Sequence, residues 1–196
     1  MVDDDTMIKI KDVLKDLNSI IPEAEIQRNV HWKLKRFEFS NLFSYGEDNI
    51  VDFTRLNGIV GLFAPNASGK SAMLDALSFN LFNFTSRTYK ADNIINKAKS
   101  TLHCKVNFEI DGIDYYIEKK GKKNLRTGHV KVDIDFWLID DSGDKISLNG
   151  DQRRTTQKNI QKVIGSYDDF ILTSMSSQNN STVFIDKTQK ERKELL

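Results

Sequence analysis

The stretch that decides how this chain is interpreted is Ala64-Pro65-Asn66-Ala67-Ser68-Gly69-Lys70-Ser71. It fits the phosphate-binding loop pattern, in which a small residue and four spacers precede Gly-Lys-Ser. An apolar run over 58–63 comes just before it and predicts a short buried strand. Residues 72–82 follow it and predict a helix. This order brings loop N–H groups and the positive end of a helix dipole to one point, which favours a bound polyphosphate.

The residues of this loop have separate expected roles. Lys70 would reach the β- and γ-phosphates of ATP, and the Ser71 hydroxyl would bind Mg²⁺. Ala64 and Ala67 stand where glycine is common, and alanine resists positive φ, but we expect binding to survive because alanine is still small. The residues expected to surround the nucleotide are Pro65, Asn66, Ala67, Ser68, Gly69, Lys70, Ser71 and Ala72.

The composition is that of one sizeable domain with a packed core. The chain has 196 residues, of which 39% are hydrophobic, and its 29 basic and 28 acidic residues nearly cancel, so a nucleic-acid surface would have to be local. The single cysteine, Cys104, excludes an internal disulfide and is expected to be a buried, inert thiol. The three histidines are scattered without metal-ligand spacing. No apolar run approaches the roughly 20 residues of a membrane span, and the acidic start is unlike a signal peptide. We therefore expect a cytoplasmic or nucleoid-associated protein without a membrane partner. If the protein is viral, the cytoplasm is that of the host cell.

Hydrophobic periodicity divides the chain into a helical extension and a domain rich in strands. Apolar residues at helical spacing over 10–21, ended by Pro22, predict an amino-terminal extension over 1–30. From His31 the period becomes two, with a one-residue phase slip before Phe37. Residues 50–53 predict a hairpin partner, and Asp111-Gly112 predicts a two-residue turn between two alternating strands. A third alternating strand covers 130–138, and a helix is expected over 155–164 with Thr155 as N-cap and Gly165 after its end.

A Walker B motif is imitated at 136–141, where four apolar residues precede Asp140 and Asp141. Such an aspartate would hold Mg²⁺ and its neighbour could activate water. The alternation before it favours a half-exposed antiparallel strand instead, whereas a Walker B strand is parallel and buried on both faces. We therefore interpret 140–144 as a plain turn.

A basic cluster follows the predicted hairpin and has two interpretations. It is either a solvated loop or a surface that contacts DNA phosphates without reading sequence, since no aromatic residues are interleaved for base stacking. A second patch, between the helix after the loop and the hairpins, consists of Arg87, Lys90, Lys97 and Lys99. The residues of the first cluster taken as candidate DNA contacts are Lys119, Lys120, Lys122, Lys123 and Arg126.

Four segments in fixed order resemble the amino-terminal half of an SbcC/Rad50-type ATPase, the ABC-class, SMC-like subunit of the double-strand-break repair nuclease, and the related phage recombination-endonuclease subunits. These are the opening strand and turn at 37–45, the loop and helix at 65–77 including Asn66 and Asp75, a Q-loop at 176–178 followed by Phe184, and the start of a coiled-coil arm at 190–196. About 107 residues separate Ser71 from Gln178. The loop alone is common, but the ordered set is specific.

The resemblance implies a fold, roles and partners. The fold is an α/β ABC-type amino-terminal lobe, with mixed and antiparallel strands packed around the P-loop helix, over 31–185, and the coiled coil begins in 186–196. Gln178 would act beside Lys70 in catalysis and would touch Mg²⁺ and the attacking water. Its amide donates and accepts without adding charge. The implied partners are the carboxy-terminal half of the head, a second head engaged through ATP, a nuclease subunit and DNA.

The chain also departs from the family pattern. Phe43 stands where the family often has arginine, and neither a Leu-Ser-Gly-Gly signature, a convincing Walker B nor a zinc-hook Cys-x-x-Cys is present. We therefore expect half of an ATPase head that is inactive alone. Two alternatives stay open, namely a stand-alone P-loop NTPase using Asp140 as its Walker B acid and a nucleotide-binding module that never hydrolyses.

Overall fold

The described part of the chain is built on one sheet with its helices packed on one face. The computed structural model describes residues 31–175 together with 188 and 189. Six strands among these residues follow the order β2-β1-β3-β4-β5-β6, and every neighbouring pair is antiparallel. The strands are β1 (Lys33–Ser40), β2 (Asn49–Asp52), β3 (Thr101–Ile110), β4 (Ile113–Lys123), β5 (Val130–Ile139) and β6 (Lys145–Ser147).

The helix that follows the phosphate-binding loop lies at the centre of the core. Its residues Ala76, Phe79 and Leu81 are almost fully buried, and it contacts β3, β4 and the helix after the last strand. The aromatic residues Phe37 and Phe108 supply the sheet side of this core. The helices are α1 (Lys70–Phe82), α2 (Ala91–Ile94), α3 (Arg153–Ile164) and α4 (Tyr167–Thr173), and a 3-10 turn covers Phe53–Arg55.

The alternating segments form the strands that their periodicity predicts. The phase slip in β1 is confirmed as an irregularity between Leu34 and Arg36 in its pairing with β3. Asp111 and Gly112 connect β3 to β4 with φ of +50° and +84°, as the two-residue hairpin signal requires. Cys104 is confirmed as a buried thiol, and burial raises its pKa to about 11.

The buried strand expected over 58–63 is wrong. This segment forms no strand, and four of its side chains, Ile59, Val60, Leu62 and Phe63, are more than half exposed. A strand needs a neighbour to pair its backbone, and within the described residues no strand pairs with this segment. The apolar side chains of 58–63 therefore form an exposed surface, although their composition is typical of a buried segment.

The predicted start of α3 is also wrong. The helix begins at Arg153 with Gln152 as N-cap, two residues before Thr155, and Thr155 is exposed. The neighbouring Thr156 takes the hydrogen-bonding role, since its hydroxyl accepts from the Gly150 N–H at 3.0 Å. The end of α3 at Gly165, with φ of +86°, is confirmed.

Several expectations fall on residues that the structure does not describe. The helical extension at 1–30, the Q-loop with Gln178 and the coiled-coil start at 190–196 all lie outside the described ranges. Over residues 31–175 and 188–189, we find no helix with the length and apolar character that crossing a bilayer would need.

Candidate nucleotide-binding site

The phosphate-binding loop runs over 64–69 and leads directly into α1. Gly69 is the N-cap with φ of +98°, a conformation that suits glycine. No side chain caps this helix start within the described residues, and its first turn contains no acid. The N–H groups of Lys70, Ser71 and Ala72 therefore face the loop without a capping partner, which is the arrangement that an anion needs.

Lys70 is folded over its own loop. Its Nζ donates to the carbonyl oxygens of Ala64 at 2.5 Å and Pro65 at 2.8 Å. A lysine ammonium has three donors, so one remains for a phosphate oxygen without breaking either contact. The side chain is thus held at the mouth of the loop.

The other expected binding residues surround this loop in different environments. Asn66, Ser68 and Ser71 are exposed, and Ala72 is buried against the core. Ala67 has φ of +62°, the left-handed conformation that alanine resists, so alanine in place of glycine carries a backbone cost.

The residues fit ATP better than they fit a free metal ion. A cation, uncapped helix N–H groups and the absence of a first-turn acid together suit a polyanion. For Mg²⁺ the described residues supply the Ser71 hydroxyl, and they contain no cluster of His, Cys, Asp or Glu that could hold a metal alone. The ion would thus complete its oxygen ligands with phosphates and water.

The turn after β1 contacts the loop, a feature that reasoning from the residues missed. The Tyr45 hydroxyl donates to the Gly69 carbonyl at 3.1 Å. Ser44 also packs against Gly69, because a Cβ added to Gly69 would lie 3.0 Å from the Ser44 Oγ. The sequence signal for this turn was the family resemblance at 37–45, which locates the turn but does not indicate which residues it contacts.

Asp75 ties the second turn of α1 to the loop that follows the helix. Asp75 is 4% exposed, and its carboxylate accepts from the Ser86 N–H and hydroxyl and pairs with Arg87 at 2.8 Å. Arg87 is therefore committed to this contact, and Lys99 pairs with Glu47 at 2.7 Å. The second basic patch is weaker than the sequence indicated.

Asp140 lies in a turn, as expected. Its Oδ1 accepts from the N–H groups of Ser142 and Asp144, both at 2.9 Å, and Gly143 has φ of +86°. The preceding strand β5 is antiparallel to both of its neighbours. Neither feature suits a Walker B acid.

The placement of Lys119 among the DNA contacts is wrong. Its side chain is fully buried on the core face of β4, where Nζ donates to the Phe79 carbonyl at 2.6 Å and lies 3.4 Å from Gln157 Oε1. Loss of hydration lowers its pKa to about 7. The lysine braces α1 from inside and cannot meet DNA.

The other members of the basic cluster remain at the surface. Lys120, Lys122 and Arg126 are exposed and Lys123 is partly exposed. Lys120 pairs with Glu118 at 3.1 Å, whereas Lys122, Lys123 and Arg126 have no ion pair in the described part of the chain.

Comparison with known protein families shows which family the chain belongs to. The profile described as "AAA domain" matches residues 36–196. The chain belongs to this AAA domain family.

Individual relatives are much longer proteins, and the chain spans only a small part of their length. An uncharacterized protein of Acanthamoeba polyphaga mimivirus is 40% identical over 171 residues, which is 84% of this chain and 13% of the relative. The SbcC component of the nuclease SbcCD from Clostridium acetobutylicum is 27% identical over 167 residues, 82% of this chain and 14% of the relative. Other relatives are named Rad50 ATPase and phage exonuclease subunit 2, so the resemblance to the amino-terminal portion of this group is confirmed.

A solved structure supports the fold. It comes from work on ATP-driven dimerization and DNA-stimulated activation of SMC ATPases, and it matches with a TM-score of 0.54 at 18% identity. The match covers 83% of this chain and 96% of that chain. The P-loop ABC-type ATPase fold is thereby confirmed. The expected antiparallel strands are present, whereas the mixed pairing that was also expected does not occur among the described strands, since each neighbouring pair is antiparallel.

Proposed function

We propose that this chain is the amino-terminal part of an ATP-binding and ATP-hydrolysing head in a DNA repair or recombination complex. The observation that carries the proposal is the uncapped amino terminus of α1, next to which the Lys70 ammonium is hydrogen-bonded to two carbonyls of the preceding loop. The family membership and the names of the relatives agree with it. ATP would bring a polyphosphate to be held by the loop N–H groups, by Lys70 and, through Mg²⁺, by Ser71. Gln178 is proposed as the group that positions water.

The exposed segment at 58–63 favours a half-site over a complete enzyme. Ile59 and Phe63 are almost fully exposed immediately before the loop, and Leu74 on α1 is 40% exposed. Apolar surface of this kind beside a ligand site is typical of an interface. We propose that the carboxy-terminal half of the head covers it, that a second head engages through ATP, and that this engagement controls DNA-end binding and a nuclease subunit in the cytoplasm.

DNA is proposed to contact the end of β4 and the β4–β5 loop, now without Lys119. Asn124 organises this loop, because its Oδ1 accepts from the Arg126 and Thr127 N–H groups at 2.9 and 3.1 Å. Arg126 is thus presented on an ordered turn, and Lys122 is exposed near the end of β4. Their charges would neutralise phosphates without reading bases.

The affinity of Lys70→Ala for nucleotide tests the assignment of the loop at 64–71 as the nucleotide-binding site. Each charge-assisted bond lost costs about 1.5–3 kcal/mol, which corresponds to roughly 10- to 150-fold weaker binding of Mg-ATP by calorimetry. Asp140→Ala is the matched control and should bind like the wild type. Equal affinity of Lys70→Ala and wild type would remove the site, and robust hydrolysis that depends on Asp140 would favour the stand-alone NTPase.

Turnover with and without a carboxy-terminal half tests the half-site. The isolated chain should bind Mg-ATP weakly and turn it over negligibly, and addition of a carboxy-terminal half should restore turnover. Failure to hydrolyse in the completed head would favour the alternative of a nucleotide-binding module.

A further inference from the structure

The turn after β1 is built so that one tyrosine hydroxyl reaches the phosphate-binding loop. Tyr45 Oη donates to the Gly69 carbonyl at 3.1 Å, and the same carbonyl accepts from the Met73 N–H at 3.2 Å. The first of these bonds comes from outside the helix, and the second is the first bond of α1. Together they fix the direction in which the Gly69 carbonyl points.

That carbonyl belongs to the peptide unit that also carries the Lys70 N–H. A trans peptide is planar, and its C=O and N–H groups point in opposite directions. When the Gly69 carbonyl is held toward Tyr45 and Met73, the Lys70 N–H is held toward the other side, into the loop. The Lys70 N–H is one of the uncapped donors at the helix start.

The tyrosine is itself firmly placed. Its ring packs edge-on against Phe39 with centroids 5.0 Å apart, and Phe39 is 2% exposed. Its carbonyl accepts from Asn96 Nδ2 at 3.0 Å, and its N–H donates to the Leu42 carbonyl at 2.9 Å. The hydroxyl therefore comes from a rigid support, which is what a group needs to orient another.

Gly69 is fitted to this support by close contact as well. A Cβ at this position would lie 3.0 Å from Ser44 Oγ and 3.4 Å from Tyr45 Cε2. Glycine is suited to this position for two reasons. It tolerates φ of +98°, and without a Cβ it lets the turn after β1 come close to the loop.

We propose that Tyr45 is a positioning residue for phosphate binding, which orients the Gly69–Lys70 peptide so that the Lys70 N–H faces the β-phosphate. The inference rests on the proposed nucleotide-binding function. It assigns to the turn after β1 a contribution that acts through the loop backbone and requires no contact between Tyr45 and the nucleotide.

The test removes one hydroxyl and varies the number of phosphates. Tyr45→Phe should bind ADP and ATP about threefold to tenfold more weakly, the range expected for one neutral hydrogen bond. AMP binding should be unchanged because AMP has no β-phosphate. Tyr116→Phe is the matched control, since that ring stacks on Trp137 at 5.3 Å on the opposite face of the sheet, and it should bind all three nucleotides like the wild type.

The results separate this inference from the function beneath it. Loss of AMP affinity as large as the loss of ADP affinity would mean that Tyr45 touches base or sugar and would overturn the inference. Unchanged ADP affinity would overturn it too, while leaving the Lys70 site intact. Absence of ADP binding in the wild type would instead remove the proposed function.

Backbone dynamics give a measurement that does not depend on the nucleotide. In the chain without nucleotide, the amide order parameter of Lys70 should fall in Tyr45→Phe from a rigid value near 0.85, with unchanged values in the later turns of α1. An unchanged Lys70 order parameter would contradict the orienting role.

Discussion

Replacing Lys119 by methionine should change how the stability of this chain depends on pH. The folded lysine has a pKa of about 7 because burial removes its hydration, whereas an unfolded lysine titrates near 10.4. Between these values the folded state binds fewer protons at this site than the unfolded state does. The free energy of unfolding therefore rises with pH in this window, and the lysine contributes no slope below pH 7, where both states are charged.

The size of the effect follows from one proton. A full difference of one bound proton gives a slope of about 1.4 kcal/mol per pH unit. Between pH 7.5 and 9.0 the wild type should therefore gain about 2 kcal/mol relative to Lys119→Met, whose side chain does not titrate. Methionine keeps most of the buried volume and loses the hydrogen bond to Phe79.

Urea unfolding followed by circular dichroism at pH 7.5, 8.25 and 9.0 measures this difference. The raised pKa of Cys104 acts in the opposite direction, since its thiol ionises first in the unfolded state and costs stability as pH rises. The Lys119 charge lowers this pKa, so its removal raises the pKa further, but the folded thiol stays protonated up to about pH 9 in both proteins and the Cys104 contribution is therefore nearly equal in them. Lys122→Met is the matched control on the exposed face of β4, and its profile should run parallel to the wild type. Parallel profiles for wild type and Lys119→Met would refute the buried, easily deprotonated lysine.

Two further predictions concern the loop backbone and the DNA surface. Ala67→Gly should raise the free energy of unfolding by about 0.5–1 kcal/mol, because glycine adopts φ of +62° without strain, and Gly69→Ala should lower it. Thermal unfolding measures both changes. A loss of stability in both variants would contradict the strain at Ala67. Lys122→Ala and Arg126→Ala should each weaken duplex DNA binding and reduce the salt slope by about one if each contacts a phosphate, as measured by anisotropy at several salt concentrations. A slope identical to that of wild type in both variants would exclude the end of β4 and the β4–β5 loop as a DNA contact.

The period of two predicted most of the sheet because each strand carries its own signal. Along β3 and β4, one set of side chains packs on the core and the other meets solvent, so alternation alone locates the strands. The same parity also held a signal about Lys119, since it shares a face with Ile117 and Gly121, which are both buried. Charge suggested solvent and parity suggested the core, and here parity was the better guide.

The segment at 58–63 shows why other features could not be predicted in this way. Its apolar residues have strand propensity, but a strand forms only when a second segment pairs with it, and that information lies elsewhere in sequence. The Tyr45–Gly69 contact is similar, because it joins residues 24 positions apart through the path of β1 and α1. Local pattern found the loop and its helix, whereas tertiary contacts decided what surrounds them.

Side chains from other elements hydrogen-bond the carboxyl end of α1, whereas no side chain of the described residues caps its amino end, and this difference suits a ligand site at the amino end. At the carboxyl end, Lys119 donates to the Phe79 carbonyl, Gln157 Nε2 donates to the Leu81 carbonyl at 3.0 Å, and Arg153 donates to Asn83 Oδ1 at 2.7 Å.

At the amino end no side chain of the described residues caps the helix, and the loop is exposed. A helix start without a side-chain cap forgoes the stability that a cap would add. Because β4 and α3 hold the far end, the helix can stay fixed while its first turn keeps those donors free for an anion. The buried lysine and the exposed loop are thus two parts of one arrangement, in which stability at one end of α1 supports binding at the other.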